Sequence, residues 1–186
     1  SKPHIIFSSS TQEERDNLYG KSKREGRLLF EQWAKRNHAA FSGFIIPNVF
    51  GPFGKPYYNS VVATFCHQLT HNEEPRIDVD GELNLIYVSE LVEHFIERIQ
   101  SVALQSIREN CSETVQIPHT ATIKVSALLA KLNNFKTNYF DNGIFPNLTE
   151  PIERNLFNTF VCYIDHERFF PRMLELKTDD RGSFVE

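Results

Sequence analysis

Two apolar runs flanking one amphipathic, helix-length segment constrain this chain more than any other feature. Ile5-Ile6-Phe7, entered at His4, is a short fully apolar strand, and Ala40 to Ile46 is a second, ended by Pro47-Asn48. Between them, from Tyr19 to Arg36, Leu28, Leu29 and Trp33 fall at near-helical spacing while Arg, Lys and Glu fill the other face. Strand, helix, strand in that order is a parallel crossover, the repeating unit of a doubly wound α/β sheet. The polar stretch Ser8 to Asn17 reads as the loop joining the first strand to the helix.

The rest of the chain continues in the same style. A Gly- and Pro-rich loop, Pro47 to Pro56, precedes a helix from about Asn59 to Leu69. Arg76 to Val79 and Leu83 to Tyr87 are strand candidates joined by the turn Asp80-Gly81. Ser89 to Gln105 is expected to be a helix with Leu91, Val92, Phe95, Ile96 and Ile99 inward. Val115 to Ile117 reads as a brief strand, and Val125 to Phe135 as a helix with Ser126 close to its start. Asn142 to Thr149 is irregular, and a last helix lies near Ile152 to Tyr163. From Phe169 onward the pattern alternates through Met173-Leu174-Glu175-Leu176 and turns at Asp179-Asp180-Arg181-Gly182, which reads as the entrance to a β-rich domain. The expected division is therefore 1–50, 51–168 and 169–186. Both ends read as cut within strands, at His4 and at Ser183 to Glu186, and Ser1 is not an initiator methionine.

The chemistry centres on Tyr19-Gly20-Lys21-Ser22-Lys23. A Tyr and a Lys four residues apart project from one helix face, and an ammonium beside a phenol favours the phenolate. Such a phenol can donate a proton to a carbonyl that receives hydride, or act as base in reverse. Alone, the spacing is weak and describes many exposed first turns. Its setting strengthens it: Ser8-Ser9-Ser10 sits at the carboxyl end of the first strand, where open α/β sheets place their sites. A hydroxyl there can polarise a substrate carbonyl, although serines also cap turns. No GxGxxG or GxxGxxG stands in the chain, so no visible loop can cradle a dinucleotide pyrophosphate.

Taken together, Ile6-Phe7-Ser8-Ser9-Ser10, Tyr19-Gly20-Lys21-Ser22-Lys23 and Pro47-Asn48-Val49-Phe50-Gly51-Pro52 resemble the extended short-chain dehydrogenase/reductase family of nucleotide-sugar epimerases, dehydratases and reductases. Lys55-Pro56-Tyr57-Tyr58-Asn59-Ser60-Val61, Ala63-Thr64-Phe65-Cys66 and Asn72-Glu73-Glu74 are similar to its capsular-polysaccharide UDP-sugar reductase branch. Asp179 to Phe184 is similar to the entry of the cupin domain found there, and Gln105 to Glu113 matches least. The resemblance implies a partial Rossmann-like fold: the C-terminal half with its substrate-binding subdomain. It makes Tyr19 the catalytic acid, Lys23 its tuner and ribose contact, and Ser10 the holder of the reacting carbonyl. Pro47 and Asn48 would meet the nicotinamide end, and Ser9, Asn48, Lys55, Tyr57 and Asn59 the sugar nucleotide. The implied reaction is NADPH-dependent reduction of a 4-keto UDP-2-acetamido-2,6-dideoxyhexose, with NAD as the other possible coenzyme. An N-terminal nucleotide-binding half would be missing, and the chain alone is expected to be nearly inactive.

Other features carry less. His67 and His71 could clamp a metal at i and i+4, but no third ligand or HExxH accompanies them, and a solvated helix face is the better reading. Asp78, Asp80 and Glu82 lack the offsets of an EF-hand and suit a polar hairpin. Arg181 reads as a turn residue. No metal is therefore expected. The net charge of −4 argues against nucleic acid, and no apolar run approaches the roughly 20 residues that span a bilayer. Cys66, Cys111 and Cys162 lie far apart, without CxxC, and suit a reducing cytoplasm. The open sheet edges and apolar surface of such a half favour a homodimer. The rival reading is a non-catalytic remnant that binds a sugar nucleotide or a partner polypeptide.

Overall fold

The computed structural model describes residues 3–104, 112–171 and 174–185. The parallel crossover is its organising unit. Strand β1 (His4–Ser10) leads through a 3-10 turn (Thr11–Glu14) into helix α1 (Leu18–Arg36), and β2 (Ala40–Ile46) returns beside β1 in parallel. Strand β5 (Ser112–Gln116) adds to the other edge of β2, also in parallel, giving the order β1-β2-β5. The chain is thus α/β with a parallel sheet. The serines expected in a loop belong to β1, because its backbone stays paired with β2 as far as Ser10 opposite Ile46. Polar side chains at a strand's end hid that pairing from the hydrophobic pattern.

A second sheet grows from the first. After Pro47, β3 (Asn48–Phe50) pairs in parallel with β4 (Glu82–Tyr87), which pairs antiparallel with β6 (Ala121–Lys124). Both edges of β4 are therefore occupied, and the expected hairpin partner Arg76 to Val79 is not a strand. Asp80 instead caps the helix that starts at Val125: its carboxylate accepts from the Ser126 N–H and hydroxyl, both at 2.8 Å.

Helix α2 (Val61–Thr70), α4 (Val125–Phe135) and α5 (Pro151–Val161) pack on this second sheet. Their apolar faces meet Phe50 and Leu85 in the largest core, where Val62, Cys66, Leu128, Leu132, Leu156 and Phe160 are almost wholly buried. A π-helical turn (Lys136–Asp141) and a short α6 (His166–Phe169) complete that layer. The tail forms an exposed hairpin, β7 (Leu176–Asp179) with β8 (Gly182–Val185). The strand alternation proposed from Met173 falls partly outside the described residues.

The first sheet has thinner cover. Helix α3 (Val88–Leu104) lies on one face, with Leu91 and Phe95 packed against Phe44 and Ile46. The expected inward residues Val92, Ile96 and Ile99 are exposed, because the sheet takes only one stripe of the helix. On the other face Ala34, Ala39 and Phe41 form a small core, flanked by Ile5 and Phe7. Leu29 is 66% exposed and Trp33 44%, so the apolar stripe of α1 points away from the sheet. What α1 turns inward is mostly small or charged: Gly26 lies over the Phe7 ring and Arg27 over Gly43, with Phe30 meeting Phe7 at 5.5 Å between ring centres. The predicted end of α3 at Gln105 and Cys111 lie outside the described residues.

Candidate active site

The carboxyl end of β1, the first turns of α1 and the segment after β2 enclose a cleft of about 420 Å³. Ser9, Ser10, Tyr19, Lys23, Pro47, Asn48, Lys55 and Asn59 all line it. Local sequence explains how they meet. Asn17 caps α1 by accepting from the Gly20 N–H at 2.7 Å. A Cβ on Gly20 would come within 2.1 Å of the Gln12 carbonyl oxygen, so only glycine lets the first turn of α1 lie against the 3-10 turn. That contact carries Tyr19 and Lys23 onto the cleft that Ser10 faces.

Each polar group has a defined state. Ser10 Oγ accepts from the Gln12 N–H at 3.2 Å, which leaves its own hydrogen for another acceptor. Lys23 Nζ donates to the Ser8 carbonyl at 3.1 Å and lies 5.7 Å from the Tyr19 ring centre. Tyr19 is 41% exposed, open to a bound molecule. Ile46, Pro47, Leu91 and Phe95 form an apolar side to the cleft. That side presents a flat apolar face beside the Lys23 ammonium. The chain offers no Gly-rich loop for the pyrophosphate.

Beneath the serines lies a buried ionic array. Ser9 Oγ donates to Glu13 Oε2 at 2.6 Å, and Arg27 holds the same carboxylate bidentately, Nε to Oε2 at 3.0 Å and Nη2 to Oε1 at 2.8 Å. Glu13 is only 7% exposed. Burial pushes its carboxyl up, but the hydrogen bonds from Arg27 and Ser9 outweigh it and hold the group below its ordinary range. Arg27 also donates to Thr114 Oγ1 at 3.3 Å, tying the helix to β5.

Sequence reasoning missed Gln12, Tyr58, Ser60, Leu91 and Phe95 among the lining residues, and missed Glu13 beneath them. The repeated tyrosine of Tyr57-Tyr58 was the available signal for Tyr58; a buried Glu in a polar run gives none. Tyr57 does not line the cleft. Its hydroxyl bonds the Glu73 carboxylate and its ring stands edge-on to His67, with centres 5.6 Å apart. His67 and His71 stack at 3.9 Å, and His71 Nδ1 lies 2.9 Å from the His67 carbonyl oxygen. Among the described residues no three metal-ligating side chains converge, and no helix is long and apolar enough to cross a membrane.

Known proteins match this chain in sequence and fold. The chain is 32% identical to the capsular polysaccharide assembling protein CapF from Staphylococcus aureus, with a TM-score of 0.80 to its crystal structure over 100% of this chain and 50% of that one. It is 27% identical to UDP-2-acetamido-2,6-beta-L-arabino-hexul-4-ose reductase of Pseudomonas aeruginosa, over 98% of this chain and 47% of the relative. The chain thus spans about half the length of these relatives. A UDP-glucose 4-epimerase from Thermotoga maritima shares the fold, with a TM-score of 0.61 at 19% identity over 85% of this chain and 62% of that one. The profile described as "Epimerase: NAD dependent epimerase/dehydratase family" matches residues 2–109, and the chain belongs to that family.

Proposed function

We propose that this chain carries the proton-donating, substrate-binding side of a UDP-sugar reductase. Its substrate is a 4-keto UDP-2-acetamido-2,6-dideoxyhexose, reduced with NADPH in the synthesis of surface-polysaccharide precursors. The observation that carries this reading is the shared cleft of Ser10, Tyr19, Lys23 and Asn48, together with the likeness to a reductase of such a sugar.

When bound, the reduced nicotinamide supplies hydride to the keto carbon. The chain's own residues manage the oxygen. Ser10, with one lone pair engaged by the Gln12 N–H, donates its hydrogen toward the carbonyl oxygen and polarises it. Tyr19 gives that oxygen its phenolic proton as negative charge develops. Lys23, fixed by the Ser8 carbonyl, stabilises the phenolate left behind and reaches the ribose with its remaining N–H bonds. Asn48, Lys55 and Asn59 bind the sugar nucleotide along the rest of the cleft, and Ser9 serves it from below, held by Glu13.

The pyrophosphate-binding half belongs to polypeptide outside this chain, and the tail hairpin opens a cupin-like domain. The stripes on α1 and α3, led by Leu29, Trp33, Ile96 and Ile99, suit burial in a homodimer. Free thiols at Cys66 and Cys162 accord with the cytoplasm.

The test is coenzyme oxidation by the intact gene product with the keto sugar, NADPH against NADH. Tyr19→Phe should lower kcat/KM by about 10²- to 10⁴-fold, the usual worth of a positioned proton donor. Equal rates for variant and wild type would overturn the assignment. Turnover of a 4-hydroxy sugar without net coenzyme consumption would move the reading to an epimerase.

A further inference from the structure

The loop from Gly51 to Ser60 links β3 to α2 and supplies four of the cleft's lining residues, Lys55, Tyr58, Asn59 and Ser60. It does so in an uncomfortable conformation. Phe53 and Tyr57 both lie in the left-handed region, at φ 61° and φ 57°. An aromatic residue there is strained and persists only where surrounding contacts hold it. Those contacts are present, and all of them come from outside the cleft. The Phe53 N–H points to Cys162 Sγ at 3.2 Å, and the Tyr163 hydroxyl donates to the Gly54 carbonyl at 2.5 Å. The Tyr57 N–H donates to Thr64 Oγ1 at 3.0 Å. Finally the Tyr57 hydroxyl reaches Glu73, just beyond the end of α2, with its ring edge-on to His67.

The twist at Tyr57 divides two adjacent tyrosines. Tyr57 turns away to Glu73, while Tyr58 turns into the cleft with Lys55 Nζ 5.7 Å from its ring centre. A cation on a half-open aromatic face presents a charge and a stacking surface side by side, which suits an anionic phosphate and a flat base. We infer that Tyr57 is a positioning residue: its bond to Glu73 is a latch that holds the loop strained and aims Lys55 and Tyr58 at the nucleoside diphosphate of the substrate. The inference rests on the UDP-sugar reading and adds to it a control point outside the cleft. Glu73 is the informative partner, because it lines none of the cleft and its carboxylate accepts the Tyr57 hydroxyl.

The experiment is calorimetric titration of the intact gene product with UDP, alongside amide hydrogen exchange of residues 53–58 without ligand. Tyr57→Phe and Glu73→Ala should each weaken UDP binding about fivefold, the factor that corresponds to one hydrogen bond of about 1 kcal/mol. The double variant should be no weaker than either single one, since both remove the same bond. Glu73→Gln keeps a carbonyl acceptor and should restore most of the affinity. In Tyr57→Phe and Glu73→Ala, amides 53–58 should exchange faster while the melting temperature stays within a degree or two. A Glu73→Ala protein that binds UDP like wild type overturns the latch and leaves the UDP-sugar reading intact. A Tyr57→Phe loss without a Glu73→Ala loss also overturns it, by making Tyr57 a direct contact. A wild-type protein that binds no UDP overturns both readings together.

Discussion

The two halves of this molecule are held together by different means. The second sheet and its helices α2, α4 and α5 close over a broad apolar core in which Leu85, Leu128, Leu132, Leu156 and Phe160 are sealed from solvent. The first sheet, whose helix α1 carries Tyr19 and Lys23, has two small apolar clusters among the described residues. Its helices dock instead through polar arrays, Glu13 with Ser9 and Arg27 on one face, and Ser42 with His4 and Arg98 on the other. Arg98 then extends to Glu113 at 2.9 Å. An apolar core is tolerant of small shifts, whereas hydrogen-bonded ions fix direction. The half that sets the Tyr19 phenol and the Ser10 hydroxyl along one cleft uses the directional kind.

This contrast can be broken in order of expected effect. Arg27→Met leaves a buried carboxylate without its bidentate partner and should cost roughly 3–5 kcal/mol, read by denaturant unfolding. A loss below 1 kcal/mol would mean that the ionic array is ornamental and the halves are alike. Leu132→Ala empties a fully buried site in the other core and should cost about 3 kcal/mol. That loss should be the same at neutral and mildly acidic pH, because no ionisable group is involved.

The smallest effect is a difference in pH response. Glu13 is held below its ordinary value of 4.5, so its stabilisation is present above that value and is lost as pH falls through and below it. Glu13→Gln should therefore flatten the acid limb of the stability profile, measured as melting temperature from pH 6 down to pH 3. Leu132→Ala should shift the whole profile down and leave its slope unchanged. Parallel acid limbs for wild type and Glu13→Gln would remove the distinction between the two regions.

Much of this was legible in the sequence, and the gaps have physical causes. The crossover was readable because Ala40 to Ile46 is buried on both faces and so almost uniformly apolar. The cleft residues were readable because they stand beside strand ends and helix starts, which sequence marks well. Strands β3 and β6 were not, being three and four residues long with no alternation to detect. The inward faces of α1 and α3 were misassigned for one reason: the period locates an apolar stripe but does not say what will cover it. For Leu29, Val92 and Ile96 nothing among the described residues covers them fully. Glu13 was invisible because charge ordinarily signals solvent, and its partner lies 14 residues away on another element.

Pro47 has a consequence beyond its place in the cleft wall. It is the point where the chain leaves one set of hydrogen-bonding neighbours, at Ile46 opposite Ser10, and takes up another, at Asn48 opposite Leu85. A residue between two ladders would ordinarily strand an amide that neither could accept, and this position is buried. Proline has no such amide to strand. One ribbon can thus be spliced from sheet to sheet without a loose end. The splice falls beside Asn48, so the two separately built halves are stitched in the wall of the cleft they share.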